Sequence, residues 1–411
     1  NTNEDIKSYL EYQSNLNKFE EIPISSEVSS LQFIEQNIDN IINDISISEV
    51  DTDAVSNFIE KNFYKDIKLD NLINSLDHQE SLIMYSFSWI NVSRGVQKEF
   101  LTQTCISNSY ISQSHKILSD EESELIFNLQ NILLKDLVLN KNDAEKISSD
   151  YYKVFHDGFK CKPNEHIKNN FITNFNEVFN PNLFYRNGYL TKNVTLKVFH
   201  NIYRFLDSEI DDTDIENYIG FGDVDYMGSK FRNLPNSRSE IINSSKYFNK
   251  SKIFLDKDAS KANINDFKNS FIHFAVHNDV LVDENQILSN SLVLSGNDDG
   301  RFLTPLEIAK LDLENSFIIL SACDTFSGIE IGRNTTSDLY NSFLISGAKG
   351  VLSTTWDIES RSAAKFVTKF FKTNSTTTND IYESFREAQL ELLRSESYKH
   401  PYYWASFNLY H

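Results

Sequence analysis

The spacing of hydrophobic and polar positions changes along the chain, and each change predicts a different kind of structure. Between residues 1 and 75 apolar side chains recur three and four positions apart, as on one face of an amphipathic helix. From residue 80 to 112 the spacing is that of consecutive β-strands joined by polar turns. Helical spacing returns from Asp120 to about Leu139, where Ser119 and Asp120 are both candidate N-caps, and again from Asp143 to Phe155.

Two short apolar runs in the second half of the chain predict strands that are buried on both faces. Phe317 to Leu320 leads directly to Ser-Ala-Cys323, and residues 271–276 lead in the same way to His277. The 46 positions that separate His277 from Cys323 are enough for a crossover between neighbouring parallel strands. Because ligands of open α/β sheets bind at the carboxyl ends of the strands, this order predicts a Cys-His pair at a site.

Composition and charge narrow the classes of partner. The 411 residues are 40% hydrophobic and 24% charged, which is typical of a globular chain and not of a disordered one. The net charge of −20 argues against nucleic acid as a direct partner, because phosphate binding needs clustered Lys and Arg, and it favours neutral or basic proteins. No apolar run approaches the length of a membrane helix, and the first residues are too polar for a signal peptide.

Cysteine usage favours a reducing compartment. The three cysteines are Cys105, Cys161 and Cys323, and they form no CxxC pair. Neither a disulfide framework nor a zinc site is therefore expected. We expect a cytoplasmic protein that needs no cofactor or metal and does not bind a membrane.

Four motifs, in a fixed order, carry a resemblance to a known family. They are His273-Phe-Ala-Val-His277, Leu320-Ser-Ala-Cys-Asp-Thr325, Ser346-Gly-Ala-Lys-Gly-Val-Leu-Ser-Thr-Thr-Trp-Asp357 and His400-Pro-Tyr-Tyr-Trp-Ala-Ser-Phe407. The chain resembles the CHAT family, caspase-like cysteine peptidases of the clan that also holds separase. The resemblance spans roughly residues 80–411 and is much weaker before 215.

The resemblance implies an α/β fold with a caspase-like, mostly parallel sheet flanked by helices. It divides the chain into a short all-α N-terminal segment (1–75), a degenerate pseudo-caspase half (76–214) and a catalytic half (215–411). The N-terminal helices are similar to the repeats that often precede CHAT domains, although they lack a clean tetratricopeptide pattern. A cap on the next domain and a partner-binding surface are equally good interpretations of this segment.

The resemblance also implies the roles of the site residues. Cys323 would be the nucleophile and His277 its base, and the backbone N–H groups of Asn278 and Cys323 would form the oxyanion hole. Asn278 departs from the family, which usually has glycine there, although asparagine tolerates positive φ better than most residues. A buried, inert Cys323 is the alternative interpretation. His273 is expected to be a packed, hydrogen-bonded core histidine.

A Trp-Asp pair predicts the substrate pocket. In separase-like enzymes the comparable carboxylate reads a basic P1 side chain, so Asp357, next to Trp356, is the candidate S1 residue, with Glu359 or Asp324 as substitutes. Asp357 and Glu359 also precede a helix start, where carboxylates are favoured as caps. Substrate binding and capping are both open interpretations.

The sequence therefore predicts a cysteine endopeptidase that cleaves a specific protein through a Cys-His dyad. Family context implies a regulated bacterial defence or cell-death protease, switched on by a sensor protein through its N-terminal helices and directed at a partner such as a gasdermin or a CRISPR-associated protein. One alternative is a weak or inactive CHAT-like scaffold that binds a partner without cleaving it, which the departure at Asn278 favours. A nucleotide-binding effector using Gly220 and Gly222 is a weaker alternative, because no phosphate-loop lysine follows them.

Overall fold

The described part of the chain falls into two compact units. The computed structural model describes residues 73, 76, 80–93, 96–107, 110–163, 168–173, 179–199, 202–206, 215–226, 229–282, 288–321, 337–356, 358–375 and 380–411. The first unit is Asn1–Ile132 with Glu145–Ser208, and the second is Leu133–Ala144 with Glu209–His411. The helices predicted over 1–75 lie outside the described residues, apart from Ile73. The division into pseudo-caspase and catalytic halves stays a prediction.

The first unit contains a mixed sheet in the order β3-β2-β1-β4-β5. Its strands are β1 (Glu80–Ser93), β2 (Val96–Ser107), β3 (Ile111–Ile117), β4 (Lys168–Thr173) and β5 (Leu196–Phe199). The first three strands pair antiparallel, whereas β1, β4 and β5 pair parallel. The helices of this part of the chain are α1 (Asp120–Phe127), α2 (Leu129–Leu139), α3 (Ala144–His156) and α4 (Ile202–Leu206). Of these, α2 passes from the first unit to the second at Leu133.

The predicted succession of strands and helices from 80 to 155 is confirmed, with one correction. The helix predicted over 120–139 is two helices, because α1 ends at Phe127, with Asn128 as its C-cap, and α2 begins at Leu129. Ser119 is the N-cap of α1, as predicted. Its hydroxyl accepts a hydrogen bond from the N–H of Glu122, and the Glu122 carboxylate accepts one from the N–H of Ser119.

Cys105 and Cys161 form a disulfide in the first unit, with Cα atoms 5.8 Å apart. The expectation that the cysteines form no disulfide is therefore wrong for this pair. The two residues are 56 positions apart and meet only because the chain returns to β2 after α3, which their spacing does not reveal. Gln103 of β2 also binds the backbone of Cys161: its Nε2 donates to the carbonyl (2.7 Å), and its Oε1 accepts from the N–H (3.1 Å).

The second unit has the mostly parallel sheet that the sequence predicts. Its strands are β6 (Asn217–Val224), β7 (Lys250–Asp256), β8 (Ser270–Ala275), β9 (Asn278–Val282), β10 (Leu288–Val293), β11 (Phe302–Leu303), β12 (Phe317–Leu320), β13 (Gly350–Thr354) and β14 (Phe407–Tyr410). Within this unit the order is β14-β13-β12-β8-β6-β7. All of these strands run parallel except β14. Strands β9 to β11 form a separate antiparallel sheet.

Helices lie on both faces of this sheet, so the mixed α/β class is confirmed. They are α5 (Ser237–Ser245), α6 (Pro305–Ala309), α7 (Ser337–Ile345), α8 (Ser360–Thr373), α9 (Ile381–Leu393) and α10 (Pro401–Trp404). On β8 the ring of Phe271 packs against Phe371 of α8, with centroids 5.4 Å apart. Phe274 packs instead against Phe343 of α7 (5.8 Å). Because side chains alternate along a strand, α7 and α8 cover opposite faces.

Gly220 and Gly222 allow α5 to lie close to β6. A Cβ atom on Gly222 would lie 2.7 Å from Cγ1 of Ile241 in α5, and one on Gly220 would lie 2.8 Å from Cγ2 of the same side chain. These distances are shorter than packed carbon atoms allow. Both glycines lie within a strand. Close packing of helix on strand therefore explains the two glycines, without a phosphate-binding loop.

Candidate active site

His277 lies directly beyond the carboxyl end of β8. The strand ends at Ala275, and β9 begins at Asn278. The imidazole is only 6% exposed, and its ring centroid lies 5.1 Å from that of Tyr226 and 5.7 Å from that of Phe231. These contacts limit the orientations that the ring can adopt.

A hydrogen bond determines which nitrogen of His277 carries the proton. Nε2 lies 2.7 Å from the carbonyl oxygen of Arg232. A carbonyl can only accept, so Nε2–H donates this bond and Nδ1 is the basic nitrogen of the neutral imidazole. The backbone N–H of His277 donates to Oη of Tyr226 (3.0 Å), which in turn donates to the carbonyl of Val293 (3.2 Å). An imidazole oriented in this way meets the requirement for a general base.

Tyr226 contacts the base, and the charge of Arg301 acts on Tyr226. Burial raises the pKa of Tyr226 well above its ordinary value, although its bond with the backbone of His277 and the charge of Arg301 oppose this shift. The phenol therefore stays protonated and able to donate. Arg301 is itself 6% exposed, and its Nη1 has no hydrogen-bond partner among the described residues. Arg301 thus brings a buried positive charge close to Tyr226, and no sequence motif singles out this arginine.

Asn278 begins β9 with an ordinary extended backbone. It lies opposite Leu292 of β10 and is not among the described residues with positive φ. The carbonyl of His277 accepts from the N–H of Val293 (2.8 Å). Because carbonyl and N–H point in opposite directions across a trans peptide, the N–H of Asn278 points away from β10. The side chain is held separately, since its Nδ2 donates to Oδ1 of Asn290 (3.0 Å).

The strand that leads to the candidate nucleophile is paired with the strand that leads to His277. Phe317 lies opposite Phe271 and Leu320 lies opposite Phe274, in parallel register. The N–H of Ser321 donates to the carbonyl of Phe274 (3.2 Å), so the pairing continues one residue beyond β12. Cys323 and Asp324 follow Ser321 and lie outside the described residues.

His273 is the centre of a buried polar cluster below this edge of the sheet. Its Nδ1 lies 2.8 Å from Oη of Tyr218, and its Nε2 lies 3.0 Å from Oε1 of Glu240 and 2.9 Å from Oγ of Ser321. A carboxylate can only accept, so Nε2 carries a proton and donates to Glu240. Burial, together with the charge of Glu240, raises the pKa of Tyr218, so its phenol stays protonated. The expectation of a hydrogen-bonded core histidine is confirmed. Glu240 has capping-box spacing from Ser237, but its carboxylate binds His273 instead.

The structure describes two of the predicted S1 residues. Trp356 lies just beyond β13 and is buried, and its Nε1 donates to the carbonyl of Tyr402 (2.9 Å). Glu359 occupies the N-cap position of α8, but its side chain accepts no capping hydrogen bond. Its Oε1 lies 3.9 Å from Nε of Arg361, and the side chain is about half exposed. Asp357 lies outside the described residues.

Metal and membrane features were sought in the same described part of the chain. Among these residues, no group of His, Cys, Asp and Glu side chains could hold a metal ion. Nor does any helix described above have the length and apolar character that a membrane span requires.

Solved structures of a cysteine proteinase and of separase are similar to this chain at low sequence identity. The Arg-specific cysteine proteinase gingipain R is 9% identical, with 66% of each chain covered and a TM-score of 0.40. Separase of Saccharomyces cerevisiae, in complex with securin, is 9% identical, with 94% of this chain covered and a TM-score of 0.49. The chain spans 34% of that separase chain.

The family is established by a sequence model and not by these structures. No curated protein sequence matches the chain. The model of the CHAT domain matches residues 174–411, which include His277, Asn278 and Cys323. Because this match covers more than half of the sequence, the protein belongs to the CHAT-domain family, as the four ordered motifs predicted.

Proposed function

We propose that the chain is a cysteine endopeptidase in which Cys323 is the nucleophile and His277 its general base. The register of β8 and β12 carries this proposal. Paired residues of the two strands are 46 positions apart, and His277 and Cys323 are separated by the same number. Two residues beyond Ser321, the Cα atom of Cys323 can lie at most about 7.6 Å from that of Ser321.

The hydrogen bonds of His277 suit this chemistry. Nδ1 would take the proton of the Cys323 thiol while Nε2–H stays bound to the carbonyl of Arg232. The thiolate would attack the scissile carbonyl carbon, and His277 would then give its proton to the leaving amine. Water would hydrolyse the resulting thioester, with His277 again acting as base. A free thiol has a pKa of about 8.5, and a neighbouring imidazolium lowers it.

The N–H of Asn278, which points away from β10, would donate to the oxyanion together with the N–H of Cys323. We expect Asn278→Gly to leave kcat within about threefold, because a backbone group donates and the backbone is already extended. Initial rates on a fluorogenic peptide selected from a library would measure this. Asn290→Ala is the matched control, since it removes the side-chain contact of Asn278 and keeps residue 278. A tenfold rise in the glycine variant would instead mean that asparagine misaims the donor.

Selective alkylation of Cys323 tests the proposal without a known substrate. A thiolate reacts and a thiol does not, so we expect iodoacetamide to label Cys323 rapidly at neutral pH. Peptide mass spectrometry would locate the label, and the disulfide keeps Cys105 and Cys161 from competing. His277→Ala should slow the labelling by about tenfold or more. Equal rates in the wild type and the variant would favour the binding scaffold that does not cleave.

Family context extends the proposal to a regulated bacterial defence or cell-death protease. A sensor protein would act through residues 1–75, and the substrate would be a gasdermin-like or CRISPR-associated protein. The net charge of −20 supports a neutral or basic protein partner. A cytoplasmic location is part of this proposal, but cysteine usage no longer supports it, because disulfides such as Cys105–Cys161 are rare in the cytosol.

A further inference from the structure

We propose that His273, Glu240 and Ser321 are positioning residues for the nucleophile. This inference rests on the proposed role of Cys323. Ser321 is the last residue described before Cys323, and its Oγ lies 2.9 Å from Nε2 of His273. His273 would therefore act on the reaction through the chain that it holds, and would not contact the substrate.

Ser321 is held at two points, and both belong to β8. Its N–H donates to the carbonyl of Phe274, and its Oγ contacts the imidazole of His273. His277 follows two residues after the end of this strand. The segment from Ser270 to His277 thus carries the proposed base and also holds the chain that precedes the proposed nucleophile. The relative position of the two reacting groups depends on this segment.

Glu240 and Tyr218 hold the imidazole of His273 in place at its two ring nitrogens, and Glu240 contacts the same nitrogen as Ser321. Glu240 belongs to α5, and its Oε1 lies 3.0 Å from Nε2 of His273, while Oη of Tyr218 lies 2.8 Å from Nδ1. All four side chains are at most 3% exposed. A buried carboxylate that binds an imidazole is weak evidence for stability, because apolar residues of similar volume often serve as well or better. Fixing one arrangement of the chain is the better-supported use of such a cluster.

By holding Ser321, the cluster would keep the thiolate of Cys323 close to the imidazole of His277. A misplacement of about 1 Å can cost about 100-fold in rate. The pKa of the Cys323 thiol would also depend on its distance from the His277 imidazolium, since opposite charge favours the thiolate. Loosening Ser321 should therefore slow the reaction of Cys323 and move its pH profile upward. A cluster that only attached α5 to the sheet would change stability alone.

The chain offers a matched pair of serines at the two ends of β12. Ser321 follows the strand and Ser316 precedes it, and both are buried and hydrogen-bonded. The hydroxyl of Ser316 accepts from the N–H of Ser270 (3.2 Å) and donates to the carbonyl of Phe267. Alanine at either position removes one buried hydroxyl. Only Ser321 lies on the side of Cys323.

The test is the rate of iodoacetamide alkylation at Cys323, measured as a function of pH in the full chain. We expect Ser321→Ala to lower the rate at neutral pH by about tenfold and to raise the midpoint of the profile. Glu240→Gln should shift the midpoint in the same direction, and combining it with Ser321→Ala should add little, because the residues act as a unit. Ser316→Ala should leave the midpoint unchanged. Ser321→Thr, which keeps the hydroxyl, should restore the wild-type profile.

The outcomes distinguish a failure of the positioning role from a failure of the proposed peptidase function. An unchanged midpoint in folded Ser321→Ala, or an equal shift in Ser316→Ala, overturns the positioning role and leaves Cys323 as a nucleophile. If Ser321→Ala does not fold, Glu240→Gln decides instead, because it keeps the size of the side chain and removes the carboxylate that binds His273, and an unchanged midpoint in that variant overturns the positioning role. Slow alkylation of Cys323 already in the wild type would overturn the proposed peptidase function itself.

Discussion

Cys323→Ala should abolish proteolysis, and His277→Ala should lower kcat/KM by about 10⁴-fold or more. Neither a thiol without its base nor a base without its thiol can complete acyl transfer. Because the two groups act as a unit, the double variant should be no worse than the worse single variant. Cleavage of a peptide library, followed by mass spectrometry, would measure both losses.

Stability must be measured beside activity for these variants. The ring of His277 packs against Tyr226 and Phe231, so His277→Ala removes buried contacts as well as the base. His115→Ala is a useful control, since that ring is also partly buried and bound to Oγ1 of Thr102, but lies in the first unit. Proteolysis that persisted in folded Cys323→Ala would end the peptidase hypothesis.

The strands that lead to the site were predictable because each is a short apolar run bounded by polar residues. A short apolar run between polar turns must be buried on both faces, and Phe317–Leu320 forms β12 with those bounds. The end of the chain shows the limit of such patterns. The apolar residues of 404–409 suggest one strand, but β14 covers only Phe407–Tyr410 and Trp404 closes α10, because His400 caps this helix and Pro401 starts it.

The partners of the site residues were not predictable. Arg232 and Tyr226 lie in the connection between β6 and α5, and they reach His277 only when that connection folds over β8. Glu240 has the spacing of a helix-capping residue, so its sequence neighbours suggest a local role and hide its bond to His273. Contacts between residues 33 to 51 positions apart depend on the sheet order, which a single sequence does not specify.

Substrate specificity gives the second large expected effect. We expect cleavage after Arg or Lys, with Asp357→Asn losing about 100-fold in kcat/KM on such substrates. A carboxylate enclosed in a pocket discriminates because an apolar P1 side chain would leave it buried and unpaired. Trp356, which directly precedes Asp357, is held in place: its indole is buried, and its Nε1 donates to the carbonyl of Tyr402.

The capping interpretation predicts a different result. The N-cap of α8 is Glu359, whose side chain accepts no capping hydrogen bond, and position 357 lies two residues before this N-cap. If Asp357 nevertheless served only that helix, asparagine would replace it at little cost and leave both stability and cleavage almost unchanged. Glu359→Gln is the matched control, because it removes the nearest described carboxylate of the segment. We expect it to keep the basic P1 preference.

A positional peptide library, read with the wild type and both variants, separates these interpretations. Loss of basic P1 cleavage in Asp357→Asn, with Glu359→Gln unchanged, would assign the pocket to Asp357. Loss in Glu359→Gln alone would transfer the assignment to that residue, which also precedes α8. A wild-type preference for apolar or acidic P1 residues would contradict both S1 candidates. It would leave the roles of Cys323 and His277 intact, because the chemistry of the dyad does not depend on which side chain fills the pocket.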